Sequence, residues 1–342
     1  MVAISVVMPT YNTDVSLLRE AVDSILNQTI RDFEFIIIDD GSTTDAKEYL
    51  NELTDPRIRI IRNETNRGIT KSLNIGFRAA RGKYIARMDS DDISLPERFE
   101  KQLAFMENNP DVIVCGSKAI DAGKKPSPRK NVIEDMENYR VRLLFTNPGP
   151  VHPTAFFDRA KLIQHHIEYD ERLTYAQDYG MWVTVCKYGR VCILPDILVC
   201  LQKHPNQISI AHREKQIACD KMTQRILLTQ LLDEVTEAEL DFHYYASSGF
   251  CPEAVISRQV AEWYDRLLRA NKEKKIYNQR KLEGYIVRLK INLIEQTFTK
   301  NMSKQEKAML IFRYLPFSSA VMELLSILSV KLKQKIVPPN YE

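Results

Sequence analysis

Short apolar segments, rich in β-branched and aromatic residues, recur through the first part of the chain and are bounded by polar, glycine or proline residues. Segments of this length and composition predict β-strands that are buried on both faces, as in a parallel sheet. The predicted strands span residues 4–8, 33–38, 58–61, 84–88, 112–115, 154–157 and 191–194.

Between these segments, apolar residues recur with the period of an α-helix. In residues 15–26, for example, Leu18, Val22 and Ile25 fall on one helical face. Regular alternation of strand and helix predicts an α/β fold with a doubly wound, mostly parallel sheet, whose ligand site lies beyond the carboxyl ends of the strands. The other predicted helices span residues 46–53, 69–80, 96–107, with Pro96 at the helix start, and 178–187.

The pattern changes at about residue 214, where strand signals end and long amphipathic helical patterns begin. We therefore expect an α/β domain at residues 1–213 and a smaller, all-helical region at residues 214–342. In residues 308–335 an apolar face is combined with basic side chains. This segment suits a helix packed on the protein, an oligomer contact or a helix on a membrane surface, and these alternatives remain open.

The composition is typical of a folded protein, with 44% hydrophobic and 27% charged residues among 342. A formal net charge of +3 is too small to indicate nucleic-acid binding. The six cysteines form no Cys-x-x-Cys pair, and the first residues do not resemble a signal peptide. We therefore expect free thiols and a cytoplasmic location.

Residues 121–129, rich in Gly, Lys and Pro, predict a mobile basic loop.

Polar clusters follow three of the predicted strands. Carboxylates in such clusters can accept hydrogen bonds from a base or ribose, a tyrosine ring can stack on a base, and glycine allows close approach of the backbone. These sequences also suit ordinary turns between strand and helix. No Gly-x-Gly-x-x-Gly follows the first strand, which argues against a nicotinamide cofactor. The clusters are Pro9, Thr10, Tyr11 and Asn12, then Asp39, Asp40, Gly41 and Ser42, then Asn66, Arg67 and Gly68.

A fourth cluster is strongly acidic. After Arg87, at the end of a predicted strand, come Asp89, Ser90, Asp91 and Asp92. Carboxylates this close repel one another unless a cation binds among them, and hard divalent cations prefer oxygen ligands and bridge phosphate groups. The cluster therefore indicates a metal–diphosphate site, whereas the alternative is a solvated turn that caps the next helix.

With these motifs in this order, the chain resembles the family 2 inverting glycosyltransferases, which have the GT-A fold. The similarity extends over residues 1 to about 212. Each motif alone is weak, but their combination is specific. The motifs lie at residues 5–12, 24–29, 33–42, 66–68 and 82–92.

The resemblance implies roles for single residues. Asp40 would contact the uracil of a UDP-sugar, Asp89 the ribose, and Asp91 a Mn²⁺ or Mg²⁺ ion on the diphosphate. Asp178 would be the catalytic base, and Gln177 stands where a glutamate is more common in the family.

Other positions follow from the same resemblance. His204, in a late histidine motif, would complete the metal or pyrophosphate shell, and His152 would lie in a loop facing the donor sugar or acceptor, or be structural. The remaining residues of the polar clusters, Arg87 and Ser90 would bind the donor, and Asp92, His152 and Gln177 would contact or support the acceptor.

The implied activity is transfer of a sugar from UDP-GlcNAc, UDP-Gal or UDP-Glc to a hydroxyl of a growing glycan or lipid-linked oligosaccharide. The similarity is greatest to bacterial enzymes that extend lipooligosaccharide or capsular polysaccharide. Such a role would place the protein in the cytoplasm, at the inner face of the plasma membrane. The protein would form a homo-oligomer if the C-terminal helices provide an oligomer contact. Two other classes remain open: a non-catalytic nucleotide-sugar-binding scaffold, and a nucleotidyltransferase, although the chain lacks a Gly-rich basic phosphate loop.

Overall fold

The computed structural model describes residues 2–124, 135–202, 212–248, 257–297 and 302–314. The chain divides into two compact units. The first comprises Met1–Leu143 and Asn147–Thr223, and the second comprises Leu144–Thr146 and Gln224–Glu342.

The first unit begins with a regular alternation of strands and helices. In chain order these are β1 (Ile4–Thr10), α1 (Val15–Leu26), β2 (Phe33–Asp39), α2 (Asp45–Glu52), β3 (Ile58–Arg62), α3 (Ile69–Ala79) and β4 (Tyr84–Arg87). Then follow β5 (Ile93–Ser94), α4 (Arg98–Asn108), β6 (Val112–Asp121), α5 (Met136–Phe145), β7 (Phe156–Asp158), α6 (Arg159–Gln164), α7 (Gln177–Val185), β8 (Arg190–Leu201) and α8 (Arg213–Leu231). The last two residues of α5 and the part of α8 from Gln224 onward belong to the second unit.

Within the described residues, eight strands form one sheet in the order β3-β2-β1-β4-β7-β6-β8-β5. Strands β1 to β4 are mutually parallel, and Ile4 of β1 lies opposite Phe33 and Tyr84 of its two neighbours. Because parallel strands end at the same edge, the turns that follow β1, β2 and β4 lie near one another. This edge positions the site described below.

Burial explains why these segments form their elements. All seven residues of β1 are buried, as expected for a central parallel strand covered on both faces. Helix α1 begins after Asp14, whose carboxylate accepts hydrogen bonds from the backbone N–H groups of Ser16 and Leu17. Its buried face contains Leu18, Ala21, Val22 and Ile25, and this face packs into the core with β1 and β2.

The mostly parallel α/β sheet predicted from the sequence is confirmed, and some details differ. Strand β7 is antiparallel to both β4 and β6, so the sheet is mixed in its second half. Strand β6 continues to Asp121, the first residue of the predicted loop at residues 121–129, because β6 pairs with the whole length of β8. Pro96 lies before α4 rather than inside it, since the helix begins at Arg98. Residues 125–129 of the predicted loop lie outside the described residues.

The second unit contains helices in its described part. Beyond the end of α8 they are α9 (Glu237–Ser248), α10 (Arg258–Lys274), α11 (Gln279–Thr297) and α12 (Lys304–Tyr314). Helices α10 and α11 bury apolar stripes that include Tyr264, Leu267, Leu282 and Ile286. Across the described ranges, no helix has both the length and the apolar character needed to cross a membrane. Most of residues 308–335 lies outside the described residues.

Candidate active site

A cavity of about 1060 Å³ opens at the carboxyl edge of the sheet in the first unit. Turns after β1, β2 and β4 form one side of it, and the start of α7 forms another. Sequence-predicted site residues that line this cavity are Pro9, Thr10, Tyr11, Asn12, Asp40, Asn66, Gly68, Arg87, Asp89, Ser90, Asp91, Asp92, His152, Gln177 and Asp178.

Asp40 is fixed at the floor of the cavity by several donors. Its Oδ1 accepts hydrogen bonds from Asn63 Nδ2 at 2.7 Å and from the backbone N–H of Arg67 at 2.9 Å. Its Oδ2 accepts from the backbone N–H of Gly68 at 2.8 Å, at the beginning of α3. These bonds hold the carboxylate in one orientation.

Four of the predicted donor-binding residues do not line the cavity: Asp39, Gly41, Ser42 and Arg67. The Asp39 carboxylate points into the protein, where it accepts a hydrogen bond from the Ser42 backbone N–H at 2.9 Å and lies 3.4 Å from Arg62 Nε. Gly41 has a φ of +81°, and a Cβ there would lie 2.9 Å from the Thr65 carbonyl carbon. These residues shape the turn after β2, and Arg67 contributes through its backbone.

The turn after β1 is tied to its neighbours by side-chain hydrogen bonds. Asn12 has a φ of 48°, its backbone N–H donates to Ser42 Oγ at 3.1 Å, and its Oδ1 accepts from the Thr43 N–H at 2.8 Å. The hydroxyls of Thr13 and Ser90 are 2.7 Å apart, which joins this turn to the acidic cluster. Tyr11 remains 47% exposed, so its ring is available to a ligand.

The acidic cluster has the donor set that a divalent cation requires. One carboxylate oxygen from each of Asp89, Asp91 and Asp92 lies within 4.8 Å of the others. Burial, together with the negative charges of Asp89 and Asp91, raises the pKa of Asp92 to about 8. A set of hard oxygen ligands whose mutual repulsion disfavours ionisation fits Mn²⁺ or Mg²⁺.

Two members of this cluster have further partners. The Asp89 carboxylate binds both terminal nitrogens of the buried Arg87. Burial raises the pKa of Asp89, and the Arg87 charge opposes that effect. Asp92 is buried, and its Oδ1 accepts a hydrogen bond at 3.1 Å from the backbone N–H of Gln202, just after β8. Asp92 thus also anchors the chain that precedes residues 203–211.

Asp178 lies in the first turn of α7, and its side chain is half-buried on the cavity wall. Its Oδ2 accepts a hydrogen bond from Asn147 Nδ2 at 2.8 Å. Burial raises the pKa of Asp178, whereas the Asn147 hydrogen bond lowers it. A carboxylate with raised proton affinity, facing a cavity, is suited to act as a general base. Gln177, its neighbour, also lines the cavity.

Of the two predicted site histidines, the structure describes His152. His152 is buried, its Nε2 lies 2.8 Å from the Tyr169 hydroxyl, and its ring packs edge-on against Trp182. Burial, with the nearby charge of Arg87, holds the pKa of His152 well below its usual value. His152 is therefore a neutral group in the cavity wall. His204 lies outside the described residues.

Sequence reasoning gave no individual role to several residues that build the site. Asn147 fixes the orientation of Asp178, Thr13 joins two turns, and Asn63 orients Asp40. Asn63 and Thr13 stand beside recognised motifs, so their position after a strand was an available signal. Tyr175 and His212 also line the cavity, and their rings pack edge-on with centroids 5.1 Å apart.

Comparison with known proteins agrees with this geometry. A family model described as Glycosyl transferase family 2 matches residues 5–165. An uncharacterised glycosyltransferase of Haemophilus influenzae is 32% identical over 252 residues, which are 68% of this chain and 75% of that protein. AmsE, the amylovoran biosynthesis glycosyltransferase of Erwinia amylovora, is 30% identical over 208 residues, 57% of this chain and 74% of AmsE. The chain belongs to glycosyl transferase family 2, and it is a glycosyltransferase.

Solved structures show the same fold. S. aureus TarS 1–349 in complex with UDP-GlcNAc has a TM-score of 0.55 and 20% identity, covering 85% of this chain and 86% of that one. The mannosyltransferase PcManGT from Pyrobaculum calidifontis, in complex with GDP-Man and Mn²⁺, has a TM-score of 0.53 and 16% identity, covering 94% and 86%. These likenesses concern the fold, and they confirm the GT-A-like architecture that the sequence implied.

Proposed function

We propose that this glycosyltransferase inverts configuration and moves a sugar from a UDP-sugar to a hydroxyl of a growing glycan, with Asp178 as the catalytic base. One observation supports this proposal above the others. Asp178 and the cluster of Asp89, Asp91 and Asp92 line one cavity although they come from different elements of the fold. A single nucleotide-sugar can therefore contact both groups.

The donor would bind along the carboxyl edge of the sheet. Asp40 has its orientation fixed for hydrogen bonding to the base, and the exposed ring of Tyr11 offers a stacking surface. Asp89, held by Arg87, would accept hydrogen bonds from the ribose hydroxyls. Asp91, with its neighbours in the cluster, would hold Mn²⁺ or Mg²⁺. The bound ion would offset the charge that develops on the departing diphosphate.

At the other side of the cavity, Asp178 would receive the proton of the attacking hydroxyl. As the acceptor oxygen bonds to the anomeric carbon, the bond from that carbon to the diphosphate breaks on the opposite face, which inverts the configuration. Asn147 donates to Asp178 Oδ2 at 2.8 Å and so fixes the orientation in which the carboxylate would meet the acceptor. The neutral His152 and Gln177 would shape the wall against which the acceptor lies.

The Asp178→Asn variant tests this proposal. A positioned general base contributes about 10² to 10⁴ in rate, so kcat should fall by that factor while the affinity for UDP stays within about twofold of wild type. Asp170→Asn is the matched control, because Asp170 is a surface carboxylate paired with Arg172 and away from the cavity. Wild-type turnover by Asp178→Asn would remove Asp178 from the role.

Two relatives support a choice of donor and of pathway. The TarS complex contains UDP-GlcNAc, so UDP-GlcNAc is the first choice of donor. AmsE is an amylovoran biosynthesis glycosyltransferase, which supports a biosynthetic role, and the sequence resemblance makes surface polysaccharide the first choice of product. A screen of UDP-GlcNAc, UDP-Gal, UDP-Glc and GDP-Man against methyl hexosides, with nucleotide release as the readout, tests the choice. Binding of UDP without nucleotide release from any pair would favour a scaffold, and pyrophosphate release from UTP would favour a nucleotidyltransferase.

We also propose a cytoplasmic location at the inner face of the plasma membrane, where lipid-linked acceptors are available. The combination of apolar and basic residues in 308–335 supports it, and the five cysteines in the described ranges are free thiols. The helical region from residue 214 onward would then provide the membrane, acceptor or oligomer contact. Truncation before Lys304 should abolish sedimentation with anionic liposomes, and failure of the full-length protein to sediment would contradict the membrane contact.

A further inference from the structure

Helix α8 presents a carboxylate on the face that the first unit covers. Gln216 of this helix lines the cavity that contains Asp178, and Cys219 and Thr223 are buried. Positions 216, 219, 220 and 223 follow the i, i+3, i+4, i+7 spacing of a single helical face. Asp220 therefore lies on the inward face of α8, one turn after Gln216.

In the described part of the chain, no partner compensates for the burial of the Asp220 carboxylate. Its side chain is half-buried. Within the described residues its carboxylate makes no hydrogen bond or ion pair, and only burial and the charge of Asp178 act on it. A carboxylate in such a position has lost part of its hydration without a compensating partner, which costs stability. A residue that is unfavourable for folding at the edge of an active-site cavity is a candidate for a functional role.

Asp220 and Asp178 interact electrostatically. Burial and the negative charge of Asp178 raise the pKa of Asp220 to about 7. The geometry agrees with this interaction, because Gln216, one helical turn before Asp220, lines the same cavity as Asp178. An interaction between like charges acts in both directions. When Asp220 is ionised, its charge must also increase the proton affinity of Asp178.

The other groups around Asp178 do not duplicate this effect. Gln177, the adjacent residue on α7, is uncharged, and so is Gln216 on α8. The charge of Asp89 is offset by its ion pair with Arg87. The Arg87 charge acts on Asp178 in the opposite direction and lowers its pKa. Among the described residues, Asp178 also interacts with Tyr139 of α5 and Tyr169 of the loop before α7, both buried phenols whose pKa values are raised.

We propose that Asp220 is a positioning residue for glycosyl transfer, whose ionised carboxylate on α8 strengthens Asp178 on α7 as a base. This inference rests on the proposed function, since it requires Asp178 to accept the proton. In the step itself the acceptor O–H bond breaks and its proton bonds to Asp178. The oxygen electron pair forms the new glycosidic bond, and the electron pair of the old bond leaves with UDP. Asp220 keeps its charge throughout.

The Asp220→Asn variant is compared with Glu214→Gln, which changes an exposed carboxylate on the same helix. Turnover is measured with UDP-GlcNAc and the best acceptor of the methyl hexoside panel over a range of pH. In the wild type, kcat should rise between about pH 6 and pH 8 as Asp220 ionises. Asp220→Asn should lose this rise and be several-fold slower at pH 8, with the donor KM within about twofold. Glu214→Gln should keep the wild-type profile.

A wild-type kcat and pH profile in Asp220→Asn would overturn the inference. A lower kcat with an unchanged profile shape and a lower melting temperature would also overturn it, because that result indicates a structural role. The Asp178→Asn assay separates the two proposals. If Asp178→Asn is inactive and Asp220→Asn behaves as wild type, only the role of Asp220 fails, whereas an active Asp178→Asn removes the base itself.

Discussion

The Arg87 guanidinium binds the Asp89 carboxylate through both terminal nitrogens, with Nη1–Oδ2 at 2.6 Å and Nη2–Oδ1 at 2.5 Å. Arg87 is almost fully buried, and the two residues stand on either side of the end of β4. The pair therefore fixes the first carboxylate of the acidic cluster before any ligand arrives. Arg98, also buried, donates to the Arg87 carbonyl oxygen at 2.8 Å and so holds the backbone beneath the pair.

Arg87→Lys should impair the enzyme through donor binding. A lysine keeps the charge but cannot occupy both Asp89 oxygens. The lost hydrogen bond to a charged group corresponds to about 1.5–3 kcal/mol, or about 10-fold to 100-fold in kcat/KM for the UDP-sugar. Arg78→Lys is the matched control, because Arg78 makes a similar two-point contact with Glu168 on the exposed surface, where ion pairs contribute little. Equal kinetics of Arg87→Lys and wild type would contradict the proposed positioning of Asp89.

Removal of the metal should weaken UDP binding in a way that depends on Asp91. We expect calorimetry to show tighter binding of UDP with Mn²⁺ than with EDTA for the wild type, because the carboxylates of the cluster would hold the ion and its charge would offset that of the diphosphate. Asp91→Ala should bind UDP weakly in both conditions, and the surface variant Asp170→Asn should respond to EDTA as the wild type does. An unchanged Mn²⁺ response in Asp91→Ala would exclude Asp91 as a ligand.

The second unit should lose stability in acid because of His243. This buried ring donates from Nε2 to the Leu144 carbonyl at 2.8 Å and accepts at Nδ1 from the Trp263 indole N–H at 3.1 Å. Only the neutral ring can do both, and burial lowers the pKa of His243 from 6.5 to about 4. The unfolded chain therefore binds more protons between these values. The contribution, up to about 3 kcal/mol, is fully present above pH 6.5 and is lost as the pH falls towards 4.

Comparison of the wild type with the His243→Gln variant isolates this effect, because all other titratable groups are present in both proteins. The wild type should be more stable than the variant at pH 7.5 in urea unfolding, and the difference should shrink as the pH is lowered to about 5. A difference that is independent of pH would contradict the assignment of a neutral His243.

The strands and helices of the first unit could be predicted from the sequence because the pattern of apolar residues within each segment indicates its secondary structure. The prediction of a helix at residues 15–26 matches α1, and the cores of β1, β2 and β3 were identified from their apolar runs. Strand β7 was harder, because whether a three-residue strand pairs parallel or antiparallel depends on a partner far away in the chain. The extension of β6 to Asp121 likewise depends on β8.

The candidate site likewise combines residues that the sequence indicates with relationships that only the tertiary structure shows. Asp39 and Asp40 are adjacent and chemically identical in the sequence, yet only Asp40 faces the cavity, because successive side chains point to opposite sides at the end of β2. Asn147 reaches Asp178 across 31 positions, and Asp220 interacts with Asp178 from a different helix. Neither relationship has a signal in the local sequence.

The sequence by itself determined the order of the elements, the glycosyltransferase family and the acidic cluster after β4, because each depends on residues that are neighbours along the chain. Tertiary structure alone decided that Asp178 shares a cavity with that cluster, which of the two carboxylates after β2 faces the cavity, and which groups surround Asp178. The physical reason is that burial, hydrogen-bond partners and proton affinity depend on groups brought together by the sheet and its crossovers, and no spacing along the chain encodes those distances.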